Sequence, residues 1–176
     1  MSLTIATEAP SFDLPGVDGR NHTLEEYADA PILAVVWSCN HCPYVIAWEG
    51  RMKALQEDYG DRGFRLVAIN SNDAENYPAD SFEAMQLRAQ EQAFNFDYLH
   101  DADQSVARQY GPERTPEVFL FDRNRRLVYH GAIDDNRDAD AVTEHYLRDA
   151  IDALLDGRDP AVRETPPVGC TVKWKD

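Results

Sequence analysis

The sequence predicts an α/β fold with a mixed central β-sheet and helices on both faces, and three observations predict it. Pro31-Ile-Leu-Ala-Val-Val-Trp37 is a continuous apolar run, the pattern of a central strand buried on both sides. Behind it, Val45, Trp48, Met52, Leu55 and Tyr59 recur at three- and four-residue spacings, one stripe of a helix that stops at Gly60. Strand and helix then alternate until a hairpin and a last helix close the chain, an order that clothes a sheet on both faces.

Phe64 to Ile69 reads as the second strand, closed by the polar Asn70-Ser71-Asn72-Asp73. A helix of about Asp80 to Ala93, a short strand at Phe96 to Leu99 and a helix at Gln104 to Tyr110 come next, the last stopped by Gly111-Pro112. Pro116 to Phe121, the polar turn Asp122 to Arg125 and Leu127 to His130 form a β-hairpin. Val142, Tyr146, Leu147, Ala150, Ile151, Leu154 and Leu155 place a final helix over about Ala139 to Leu155. Pro160, Pro166 and Pro167 make the segment from Gly157 onward an extended arm, ending in Val168 to Trp174 as a strand-like strip on the body. Residues 1–156 are thus expected to form one domain, with 157–176 as an arm packed on it; no repeat or low-complexity run divides the chain.

At 176 residues the chain buries enough surface to hold a core unaided. Thirty-two acidic against 17 basic residues give a net charge of −15, which repels nucleic acid and anionic membrane and argues against both as partners. Arg outnumbers Lys 14 to 3 and Asp outnumbers Glu 20 to 12, a bias that fits either salt adaptation or GC-rich coding. No apolar stretch nears the roughly 20 residues of a membrane span. Met1 to Pro10 carries Glu8 and no Lys or Arg, unlike a secretory or transit leader, so the cytoplasm is the expected compartment.

Three cysteines, at 39, 42 and 170, cannot close into a disulfide framework and point instead to redox or metal chemistry. Cys39-Asn40-His41-Cys42 lies between the central strand and its helix. Two cysteines three apart at a helix start can form a small disulfide ring, and free helix N–H groups facing the first sulfur favour thiolate. Such motifs lower a cysteine pKa from about 8.5 into the range of roughly 3.5 to 7.5. His41, and Asn40 beside it, are the expected tuners of Cys39; the predicted potential lies between about −270 and about −120 mV. Two other readings compete. Half a zinc site would need partners among Cys170, His22, His100, His130 and His145, with His41 too constrained to join its neighbours; two buried, inert cysteines would not need this setting. The expectation is therefore no metal and no cofactor.

With these elements in place the chain resembles the thioredoxin-like superfamily, in its redoxin (AhpC/TSA, peroxiredoxin-like) branch. Ala9-Pro-Ser-Phe-Asp-Leu14 with Gly19 is similar to that branch's N-terminal extension, the strand-Cys-x-x-Cys-helix unit to the thioredoxin core, and Thr115-Pro116 to the Thr-Pro that carries the family's cis-proline. The resemblance implies a thiol-disulfide oxidoreductase acting through Cys39 and Cys42, Cys39 attacking and Cys42 resolving. It also implies a protein disulfide or dithiol substrate and a thioredoxin-type reductant. Asn70, Ser71 and Asn72 should share a rim with Cys39, and Pro116 should leave backbone free for an extended substrate strand.

The branch also contains antioxidant peroxidases that work through a Cys sulfenic acid. Cys42-Pro43 matches their Cys-Pro, but Cys39 stands where they carry Thr, and Arg114 is out of register with their peroxide-polarising Arg. Disulfide exchange is the leading expectation and peroxidase the alternative. The Gly-Cys-Thr-Val-Lys-Trp setting of Cys170 resembles the tail of some of these proteins, so a resolving role and a packed free thiol both stay open.

Overall fold

The computed structural model describes residues 1–176. In chain order the elements are β1 (Asp13–Pro15), β2 (Asn21–Thr23), β3 (Ile32–Trp37), α1 (Pro43–Tyr59), β4 (Phe64–Asn70), α2 (Phe82–Glu91) and β5 (Asp97–His100). Then come α3 (Ser105–Tyr110), β6 (Arg114–Thr115), β7 (Glu117–Phe121), β8 (Leu127–Gly131), α4 (Tyr146–Leu155) and β9 (Cys170–Thr171). The main sheet has the order β5-β4-β3-β7-β8. Its β3, β4 and β5 run parallel, while β7 lies antiparallel to β3 and forms a hairpin with β8. The expected mixed sheet with helices on both faces is what forms, and no helix is long and apolar enough to cross a membrane.

The unbroken apolar run of β3 has a direct cause in this arrangement: every residue from Ile32 to Trp37 is buried. Alternation then divides the strand between two cores. Ile32, Ala34 and Val36 pack with Trp48, Met52 and Leu55 of α1 and with Leu147 and Ile151 of α4. Leu33, Val35 and Trp37 pack on the opposite face with Phe12, Ala107 and Tyr110. Trp37 lies edge-on to Phe119, their ring centroids 5.6 Å apart.

Three elements differ from the pattern reading. The chain before β3 contains a short hairpin, β1 with β2, that weak local apolar patterning does not signal. Helix α2 begins after Ser81, whose hydroxyl accepts from the Ala84 N–H at 3.1 Å, so Asp80 stands outside the helix in a 3-10 turn. The last helix starts at Tyr146 rather than Ala139. Asp135 accepts from the N–H groups of Thr143 and Glu144 at 2.9 and 3.0 Å and from the Thr143 hydroxyl. Arg51 donates to the carbonyls of Asn136 and Arg137. Side chains thus satisfy the backbone of this stretch as a loop, although its apolar spacing is helical.

Candidate active site

Pro43 opens α1, and Cys42 directly before it is the N-cap residue. The free N–H groups of the helix end therefore serve Cys42, with Val45 supplying one, while Cys39 sits three residues further back. Cys39 and Cys42 are 1% and 0% exposed and pack with Val45 into a small cluster against which Cys170 also leans. All three cysteines are free thiols. Thr115 closes the cluster from the far side, its hydroxyl 3.6 Å from the Cys39 sulfur and its carbonyl oxygen 3.6 Å from the Cys42 sulfur. The peptide from Thr115 to Pro116 is cis. Two cavities of about 650 and 620 Å³ elsewhere on the surface touch no cysteine.

The negative charge of this pair belongs on Cys42. A hydrogen bond from Cys39 pulls the Cys42 pKa down, burial opposes it, and the thiol and amide of Cys170 with the Val45 amide reinforce the downward shift. The Thr115 carbonyl, which favours the protonated form, is outnumbered by these donors. Cys39 is pushed up because its proton is held by Cys42, because it is buried, and because the Asp80 carboxylate repels a second charge. The expectation that the helix end and His41 both stabilise thiolate at Cys39 is corrected on each count. The structure directs the first to Cys42 and the second elsewhere.

Asp80 is where His41 goes. Its Nδ1 lies 2.8 Å from Asp80 Oδ2, and its ring stacks on Tyr77 with centroids 6.3 Å apart. Asp80 is fully buried, and its two oxygens accept three hydrogen bonds. Oδ1 accepts from the Asn40 amide at 2.8 Å and Asn70 Nδ2 at 3.2 Å, and Oδ2 accepts from Asn72 Nδ2 at 3.0 Å as well as facing His41. Asn40 is also fixed through its side chain, donating to the Ala79 carbonyl at 2.9 Å and accepting from the Tyr98 hydroxyl at 2.8 Å. Donor atoms of Cys39, His41 and Asp80 come within 4.8 Å of one another, so His41 does share a cluster with Cys39, contrary to the constraint argued from spacing. The three hydrogen bonds that converge on Asp80 make that cluster a polar hub.

The remaining expected site residues lie at the same end of the sheet but are closed over. Asn70, Ser71 and Asn72 are 0%, 1% and 3% exposed. Ser71 accepts from Trp37 Nε1 at 3.0 Å and donates to Asp101 at 2.7 Å, so it belongs to the scaffold rather than to an open rim. Thr115 and Pro116 are buried too, because β9 lies along β6 and pairs Cys170 with Thr115. Sequence reasoning missed Asp80 altogether: within an apparently helical stretch, an Asp before Ser-Phe carries no sign of a buried hub. The Ser81 cap was the available signal.

The AhpC/TSA family matches residues 5–130. The chain belongs to that family. Among solved structures it is similar to a hypothetical protein from Sinorhizobium meliloti 1021, at 42% identity and TM-score 0.93 over 99% of this chain and 97% of that one. An uncharacterized conserved protein from Geobacillus kaustophilus is similar at 40% identity and TM-score 0.92 over 98% and 93% of the two chains. The match extends through the C-terminal arm in both, beyond the family region. A thiol-disulfide oxidoreductase, ResA, of Geobacillus thermodenitrificans (strain NG80-2) is 24% identical over 128 residues, 72% of this chain and 68% of the relative. Family and thiol cluster together point to thiol redox chemistry in a thioredoxin-like fold.

Proposed function

We propose that the protein is a thiol-disulfide oxidoreductase whose redox couple is Cys39 and Cys42. The observation that carries this reading is the contact of two thiols three residues apart at the start of α1, one poised as thiolate, against Thr115. The similarity to ResA supports the same reading.

Cys42 thiolate attacks one sulfur of a substrate disulfide, forming a mixed disulfide and expelling the other sulfur as thiolate. Cys39 then loses its proton to that thiolate and attacks Cys42, which releases the second substrate sulfur and leaves the 39–42 disulfide. The order of attack inverts the sequence expectation, because the helix end serves Cys42. Reduction by a thioredoxin-type dithiol, the same steps run backward, restores the couple. Equilibration in glutathione buffers, with alkylation and mass analysis, tests the reading: a 39–42 disulfide should form reversibly between about −270 and about −120 mV. A couple that never forms that disulfide contradicts it.

A peroxidase reading has one observation in its favour, the thiolate on Cys42 immediately before Pro43. Cys42 thiolate would attack a peroxide oxygen, giving sulfenic acid and hydroxide, and Cys39 would condense with the sulfenic acid to the same disulfide and water.

A further inference from the structure

The edge expected to receive substrate is occupied by the protein's own C-terminus. β9 pairs antiparallel with β6, placing Cys170 opposite Thr115 and Thr171 opposite Arg114. The arm is then fastened residue by residue. Val172 N–H donates to the Glu113 carbonyl at 3.1 Å, and Lys173 N–H to Asn72 Oδ1 at 2.9 Å. The Lys173 carbonyl accepts from Asp73 N–H at 2.8 Å and Gln104 Nε2 at 3.0 Å, and Lys175 N–H donates to Gln104 Oε1 at 3.0 Å. At Gly169 the approach is so close that a Cβ would stand 2.0 Å from the Thr115 carbonyl oxygen.

Beneath this strap Cys39 and Cys42 are buried, so Cys170 is the thiol of the three nearest to the surface. It is half-buried and leans on the buried pair.

Building on the thiol-disulfide reading above, we infer that Cys170 is a third redox thiol that carries the disulfide between the buried pair and a protein partner. In the oxidised protein the Cys170 thiolate attacks the Cys42 sulfur of the 39–42 disulfide. The 39–42 bond breaks, a 42–170 bond forms, and Cys39 leaves as thiolate and takes up the proton that Cys170 lost. No external oxidant is consumed, since one disulfide replaces another. A dithiol protein then attacks Cys170, freeing Cys42 as thiolate, and its own second thiol resolves the mixed disulfide and returns Cys170 to the thiol form.

Cys39→Ser isolates the second bond. Treated with one equivalent of diamide and alkylated, this variant should yield a 42–170 linked peptide in most chains. In wild type oxidised by glutathione disulfide, 39–42 and 42–170 linkages should both appear. Gly169→Ala, which lifts the strap from Thr115, should lower the 42–170 yield several-fold and raise alkylation of reduced Cys42. If Cys170 is fully alkylated in both oxidised proteins, the relay is overturned while a 39–42 disulfide would leave the redox couple standing. If wild type forms neither linkage, the thiol-disulfide reading itself falls. Should Cys39→Ser fail to fold, the wild-type linkage ratio and its response to Gly169→Ala decide the matter alone.

Discussion

His41 turns its Nδ1 to the buried carboxylate of Asp80, 2.8 Å away, and not to the sulfur of Cys39. His41, one of the two residues between the cysteines, is thus held by the scaffold beneath them. Its substitution by Ala should leave the thiolate titration of Cys42 almost in place and cost about 1 kcal/mol, the scale of one polar contact to a carboxylate that keeps its three amide donors. An upward shift of that titration by a full pH unit would return His41 to the role of tuner.

Asp80 itself is a different matter. Asp80→Asn puts an NH₂ against donors from Asn40, Asn70 and Asn72 and leaves at least one buried group unpaired, at about 1 to 3 kcal/mol for each. It also removes the carboxylate whose repulsion adds to the hydrogen bond with Cys42 and to burial in keeping the Cys39 thiol protonated. Urea denaturation should show the loss of stability, and ultraviolet titration of thiolate should show Cys39 ionising at lower pH. An unchanged denaturation midpoint would mean that the hub carries no weight.

The placement of the thiolate on Cys42 has a direct optical test. Thiolate absorbance near 240 nm should be present at neutral pH in the reduced protein, persist in Cys39→Ser, where a hydroxyl still donates to Cys42, and vanish in Cys42→Ser. Cys170 makes no contribution at neutral pH, since burial and its hydrogen bond to Cys42 push it up to about 11. Absorbance that vanishes in Cys39→Ser and survives in Cys42→Ser would restore the sequence-based order of attack.

Away from the cysteines, His22 is buried with Nδ1 2.7 Å from Glu26 and Nε2 2.9 Å from Asp18. Burial disfavours its charge, yet the hydrogen bonds to Asp18 and Glu26 outweigh it and raise the pKa above the ordinary value. A raised folded-state pKa means that the stabilisation is complete below about pH 6.5 and is lost as pH rises through the folded value. Denaturation midpoints of wild type should therefore fall relative to His22→Gln as pH increases from 6 to 9. Parallel curves would contradict the pairing.

Asp134 is 4% exposed and holds Arg51 at 2.7 Å and Trp48 Nε1 at 2.8 Å. Arg51→Met leaves that carboxylate buried without its cation and frees the carbonyls of Asn136 and Arg137, so it should cost about 3 to 5 kcal/mol in denaturant melts. A cost below about 1 kcal/mol would show that the loop before α4 is held some other way.

The sheet and its main helices were legible because burial on two faces writes itself as unbroken apolar residues, as in Ile32 to Trp37, and because α1 turns one apolar stripe to the core. The loop before α4 was not, since side chains from Asp135 and Arg51, one distant in sequence, override a helical apolar pattern. At the site, spacing showed which thiols pair but not which one the helix end serves; that depends on Pro43 fixing the first turn. The arm was readable as extended, whereas its pairing with Thr115 rests on long-range bonds such as Lys173 to Asn72.

Side-by-side rates of insulin disulfide reduction and hydrogen peroxide consumption, for wild type, Cys39→Ser and Cys42→Ser, test the central claim most directly. Disulfide exchange through the pair predicts insulin reduction by wild type that falls to background in Cys42→Ser and, in Cys39→Ser, to what the 42–170 couple alone supports. Peroxide consumption that survives Cys39→Ser at the wild-type rate, with no insulin reduction by wild type, would contradict it.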